Sequence, residues 1–282
     1  MLNDHKTYLE QLYATFDYHY IPSDPIQLVK RFEHPYDQEI VAVMVSALAF
    51  GQVSQIMKAG ESVLELMHHS PKRFVESFDP VIEIKKWSKF YYRMIKHTDM
   101  LRLLYALKLI LQEYGTLGTW VERHYLANDE HLGLTWGRCV DEIKSKDSEN
   151  WKWRRSKGIG FNHLLPNPSN KSACKRSNLL LRWMVRKDGI DLGLWNKLPK
   201  EKLIIPVDTH VQRIAYNIGL TEREDLSWKT AIEITSNLKK LDSRDPVKYD
   251  FALCRLGILK MCPKKRDIGK CNACPIFDIC RL

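Results

Sequence analysis

The apolar positions of the 282-residue chain recur mostly at helical spacing. Leu9, Leu12, Tyr13 and Phe16 mark a first amphipathic helix, which Pro22 and Pro25 close off. Residues 40–49 are apolar on nearly every side and predict a helix buried in the middle of a domain. An amphipathic helix over 52–69 stops before Pro71, and Leu101, Leu104, Leu107 and Leu111 belong to a longer one that ends at Gly115. Shorter helices are expected over 120–126 and 134–143. A helix over 172–187, capped by Ser172, has Leu180, Leu181, Met184 and Val185 on its apolar face. The apolar run 203–207 leads to Asp208, after which Val211, Ile214, Ala215 and Ile218 repeat at i, i+3, i+4, i+7; Asp208 is therefore placed at a helix N-cap. Helices over Trp228–Leu241 and 247–259 follow. No strand, hairpin or internal repeat is evident, and the expected fold class is all-α.

Charge adds a location. The chain carries 44 Lys and Arg against 34 Asp and Glu, a formal net charge of +10. Ten bases and no acid lie between Trp151 and Lys187, so the whole excess sits there, among them Arg154, Arg155, Lys171, Lys175, Arg176, Arg182 and Arg186. Interleaved with Trp151, Trp153 and Phe161, this is the electrostatic footprint expected of a nucleic-acid-binding surface, although a basic run is ordinarily a solvated face. The longest apolar stretch is too short to cross a bilayer, and the first residues, MLNDHKTYLEQL, lack the features of a signal peptide; a cytoplasmic, nucleoid-associated monomer is expected.

Seven cysteines in such a chain are not expected to pair as disulfides. Cys262, Cys271, Cys274 and Cys280 form a C-x8-C-x2-C-x5-C array whose spacing indicates metal and leaves a four-thiolate zinc site and a [4Fe–4S] cluster both open. Cys139, Cys174 and Cys254 stand at helical positions and read as small buried hydrophobes. The segment Lys157-Gly-Ile-Gly160 follows no strand, so it is read as a surface loop rather than a dinucleotide site.

Several of these stretches resemble the helix-hairpin-helix DNA glycosylase superfamily, the endonuclease III group in particular. Val207-Asp208-Thr209-His210 matches the family's Val-Asp-Thr-His segment, and Lys175-Arg-Ser-Asn178-Leu-Leu matches its Lys-x-x-Asn-Val-Val helix. Residues 44–49 (MVSALA) resemble its buried Leu-Ser-Ala-Gln-Ala helix, and Phe90-Tyr-Tyr-Arg its Gly-Leu-Tyr-Asn turn. The hairpin, residues 165–170 (LPNPSN), has Asn and Pro where the family has Gly. Lys175 and Asp208 stand 33 positions apart, closer to the archaeal 8-oxoguanine glycosylase branch.

The resemblance implies two helical domains, 36–185 and 1–35 with 186–282. It implies a base-excision DNA glycosylase and AP lyase acting on a flipped base in double-stranded DNA, with Lys175 as Schiff-base nucleophile and Asp208 as its electrostatic or general-base partner. Lys171, near the same helix start, is the competing nucleophile. Neighbouring cations are expected to lower the pKa of Lys175. Asn167, Ser169, Asn170, Lys171, Ser172, Arg176, Arg154, Arg155 and Arg182 would contact DNA. The cysteines would hold a [4Fe–4S] cluster, with zinc as the alternative, and Lys264, Lys265, Arg266 and Lys270 would line the loop beside it. The rival is a noncatalytic iron–sulfur DNA- or RNA-binding protein with the same fold.

Overall fold

The computed structural model describes residues 2–149 and 158–282; Arg154, Arg155, Trp151 and Trp153 lie outside them. The chain is helical almost throughout. α1 (Leu2–Thr15), α2 (Ile26–Lys30), α3 (Pro35–Ala47), α4 (Val53–Leu66), α5 (Pro71–Ser77) and α6 (Pro80–Lys86) precede a small hairpin of β1 (Tyr91–Tyr92) and β2 (Ile95–Lys96). Then come α7 (His97–Tyr114), α8 (Leu117–His124), α9 (Leu132–Glu149) and α10 (Ile159–Leu164). The remainder is α11 (Lys175–Val185), α12 (Thr209–Asn217), α13 (Trp228–Leu241), α14 (Asp250–Ile258) and α15 (Ile268–Asn272). The hairpin pairs Tyr91 with Lys96 and Tyr92 with Ile95, around Arg93 at φ 54°. Strands of two residues are too short to carry a period-two pattern, so no local signal marks them.

α3 is the hub. Pro35 at its first turn is preorganised for helix, and residues 39–47 are buried. α2 and α11 pack against it. Glu39 is the one acid in that buried stretch, and it is fully used: its carboxylate accepts from Leu117 N (3.2 Å), Gly118 N (2.7 Å) and Trp195 Nε1 (2.8 Å). It thereby satisfies the first N–H groups of α8 and ties three segments together. Burial pushes its carboxyl above the usual range even so.

α7 ends at Gly115 (φ 78°), as its sequence indicates, and packs on α9. α1 packs on α13 and α14, and α12 on α14. The buried apolar side chains form one contiguous cluster running from Leu9 to Ile276. Among the described residues no helix is long and apolar enough to cross a membrane.

Residues 158–164 correct the loop expectation. Gly158 (φ 63°) starts α10, Gly160 is buried, and a Cβ at Gly160 would stand 2.1 Å from Asp99 Oδ2. Its glycine is there for close packing of α10 on α7.

α11 begins three residues later than its periodicity suggests. Ser172 does not cap it; Ser172 is bridged to Ser227, with Ala173 N donating to Leu226 O (3.1 Å) and Trp228 N to Lys171 O (2.9 Å). Cys174, in the left-handed region (φ 49°), precedes the helix, and Lys171 is left-handed too (φ 62°). Glycine would adopt either conformation without the Cβ clash.

Candidate active site and cysteine pocket

The late start of α11 puts Lys175 in its first turn, facing the start of α12. There Asp208 caps the helix, its Oδ1 accepting from His210 N (2.9 Å) and Val211 N (3.0 Å). Oδ2 is left for Lys175 Nζ at 3.1 Å. Both side chains open into a cavity of about 500 Å³. Its walls come from the turn after α3 (Ala49), the start of α4 (Gln52, Ser54), α11 and α14.

The electrostatics reverse one expectation. Burial pushes the Lys175 ammonium down, but the Asp208 carboxylate and the Cys254 and Asp250 side chains outweigh it, and the net shift is upward. Asp208 is pushed up by burial and pulled below its ordinary value by Lys175 and the Val211 N–H. The resting pair is an ammonium and a carboxylate. The cations expected to lower the lysine's pKa are turned elsewhere.

Arg182 is one of them, and it is buried in the wall of that cavity. It is 2% exposed, with Nε 3.2 Å from Asp191 Oδ1 and Nη1 hydrogen-bonded to Asp250 Oδ2. Arg186 is buried likewise, with Nη1 2.9 Å from Asp191 Oδ2 and Nε 2.9 Å from Asp245 Oδ2. The basic stripe of α11 thus enters the interior, because acids from distant segments meet it there. Arg176 donates to Ala47 O (2.9 Å) and His163 O and lies over the Phe50 ring, and burial pushes its guanidinium down to about 10. It ties α11 to the end of α3.

Asn167 is buried too. Its Nδ2 donates to Gly137 O (3.3 Å) and Asp141 Oδ1 (3.2 Å) on α9, and its Oδ1 accepts from Ser169 N (3.0 Å). Ser169, Asn170, Lys171 and Ser172 are exposed. The N–H groups of Asn170 and Lys171 are spent inside the turn, on Asn167 O and Pro168 O. The first N–H groups of α11, which have no acceptor within the helix, are what the motif offers an anion.

Sequence reasoning missed the rest of the cavity. Asp24, Asp250, Cys254, Arg255 and His210 all line it. Asp250 Oδ1, Arg182 Nη2, Arg255 Nε and His210 Nδ1 are buried without a hydrogen-bond partner. Burial pushes the Asp250 carboxyl up to about 6, despite Arg182. The available signal was an acid and an arginine at positions where α14 is otherwise apolar. Leu48, which stands where the resembled helix has its Gln, is fully buried.

A second pocket lies at the far end of α12. Cys262, Cys271, Cys274 and Cys280 all line it, with Ile214, Ile218, Met261 and Ile276. Burial pushes the Cys262 and Cys274 thiols up. Arg213, one turn before the pocket, donates Nη2 to Cys262 O (3.0 Å). Among the described residues no three His, Cys, Asp or Glu side chains stand so as to hold a single metal ion. Lys264, Lys265, Arg266 and Lys270 are exposed around this pocket. Cys139 and Cys174 are buried, as expected, whereas Cys254 is only partly covered and opens into the lysine cavity.

Residues 24–259 match the family described as protein of unknown function (DUF2400), and the chain belongs to that family. No significant match was found among curated proteins or among solved structures.

Proposed function

We propose that this protein is a DNA glycosylase with AP lyase activity, of the helix-hairpin-helix type, and that Lys175 and Asp208 are its reacting pair. The observation that carries the reading is the 3.1 Å contact between Lys175 Nζ and Asp208 Oδ2 inside a cavity of about 500 Å³. A reactive lysine needs a concave site, a fixed direction and a partner for its proton, and the first turn of α11 and the cap of α12 supply them. A base inside a duplex is out of reach, so the target nucleotide enters extrahelically.

The chemistry starts from the ion pair. The bond between the base and C1′ breaks with its electrons passing to the base, which takes up a proton. Asp208 stabilises the positive charge that develops on the sugar. Lys175 passes one proton, by way of Asp208, to the departing base and forms the bond to C1′; ring opening takes a second proton from the same nitrogen to the ring oxygen and leaves a Schiff base, from which the strand is cut by β-elimination. Lys171 stands exposed on the turn outside the cavity, which favours Lys175 as the nucleophile.

Cys262, Cys271, Cys274 and Cys280 would hold a [4Fe–4S] cluster, whose chemistry is electron storage and the cross-linking of the chain's last residues. Four thiols lining one largely apolar pocket are a donor set that a cluster, with one thiolate to each iron, would use. A zinc ion would draw all four sulfurs to about 2.3 Å from a single centre. The exposed bases Lys171, Lys264, Lys265, Arg266 and Lys270 would meet phosphates.

Borohydride reduction with a duplex containing an abasic site or 8-oxoguanine tests the reading. A covalent protein–DNA complex that disappears with Lys175→Ala is expected. A complex that persists in Lys175→Ala and is lost in Lys171→Ala would move the nucleophile. Binding without any trapping or cleavage would leave the noncatalytic nucleic-acid-binding reading in its place.

A further inference from the structure

We infer that the side-chain amide of Asn217 donates an N–H hydrogen bond to sulfur in the four-cysteine pocket, and so tunes the reduction potential and retention of the cluster there. The inference rests on the iron–sulfur reading above. Asn217 is the last residue of α12 and is 7% exposed. Its backbone carbonyl accepts from Arg281 N (2.7 Å), which fixes the residue from behind. Its side chain lines the pocket formed by Cys262, Cys271, Cys274 and Cys280. Apart from the cysteines, Asn217 is the one polar side chain in that lining; its neighbours there are apolar, among them Ile214, Ile218, Met261 and Ile276.

Asn217 Nδ2 is shielded from solvent and has no acceptor within the protein. A buried N–H left unpaired is costly, and native interiors rarely carry one without a reason. The other side chains that line the pocket offer one class of acceptor, the cysteine sulfurs. Thiolates and the sulfides of a cluster accept N–H groups readily, and hydrogen bonds to sulfur are among the determinants of cluster potential. The bond strengthens as the cluster gains negative charge, so the donor favours the reduced state and raises the potential. An asparagine that merely ended α12 would turn its amide to water or to a free carbonyl, and this one does neither.

The test uses the full chain purified with its iron, as parent, Asn217→Leu and Asn217→Asp. Leu keeps the volume and removes the donor; Asp keeps the shape and replaces the donor with a carboxylate. Midpoint potentials by spectroelectrochemistry and the rate at which visible absorbance is lost under chelator are the readouts, with helical circular dichroism as a check on folding. Expected are a shift to lower potential in Asn217→Leu, a larger one in Asn217→Asp, and faster cluster loss in both. Folded, iron-loaded variants with the parent's potential and rate of loss would overturn the role of Asn217 alone. A parent protein that binds no iron would overturn the cluster reading itself.

Discussion

Lys175 Nζ and Asp208 Oδ2 lie 3.1 Å apart, although 33 positions separate the two residues and each sits at the beginning of a different helix. The helix cap fixes the direction of each carboxylate oxygen. Oδ1 is held by two backbone N–H groups of α12, and Oδ2 remains for the lysine.

That pairing predicts the behaviour of two variants. Lys175→Ala is expected to abolish borohydride trapping while leaving duplex affinity within a few-fold of the parent. Asp208→Asn is expected to slow single-turnover base release by about 10²–10⁴-fold, the range of a lost acid–base or electrostatic partner. Trapping at the parent rate in Asp208→Asn would remove the aspartate from the chemistry.

The same contact predicts a pH dependence. The lysine's pKa is raised and the aspartate's lowered, so the ion pair persists from the lowered carboxyl value to the raised ammonium value. Its stabilisation is lost as pH falls through the former or rises through the latter. If the rate of Schiff-base formation follows the neutral amine, it rises with pH across the neutral range without levelling. Asp208→Asn removes the chief anion that holds the proton, leaving burial dominant, so its rate should level at a lower pH. Identical limbs in parent and variant would contradict this.

Arg182 is expected to matter for stability and not for affinity. Arg182→Met leaves the Asp250 carboxylate buried without its cation and Asp191 with Arg186 alone, which should cost about 3–5 kcal/mol in urea unfolding. Affinity for undamaged duplex, measured on folded protein, should keep the parent's salt dependence. A loss of affinity with unchanged stability would restore Arg182 as a contact.

The exposed bases should behave in the opposite way. Each of Lys171, Lys264, Lys265, Arg266 and Lys270 that meets a phosphate contributes about 0.9 to the slope of log affinity against log salt, through counterion release. Substituting them with Ala should flatten the slope without changing the urea midpoint. An unchanged slope would place the DNA surface elsewhere.

Iron should be present in the protein as purified, with a yellow-brown colour lost in Cys274→Ser. Metal analysis returning about one zinc per chain and no iron would replace the cluster with a zinc site.

The sequence by itself determined what depends on near neighbours in the chain. The helical class follows from apolar spacing, the cap at Asp208 from an acid just before an amphipathic run, and the end of α7 from Gly115. The four-cysteine array was visible as a spacing, and all four residues do line one pocket. Tertiary structure decided the rest, because the same periodicity fits a solvated basic face and a buried one. Whether Arg182 and Arg186 face water or the interior depends on Asp191, Asp245 and Asp250. Two of these acids lie about sixty residues or more along the chain, beyond the reach of any local pattern. The start of α11 was likewise set from outside, by backbone pairing of residues 171–173 with residues 226–228. That non-local pairing delays the helix to Lys175 and brings its amine to Asp208, since a carboxylate already oriented by its own helix can stabilise a cation only where folding delivers one.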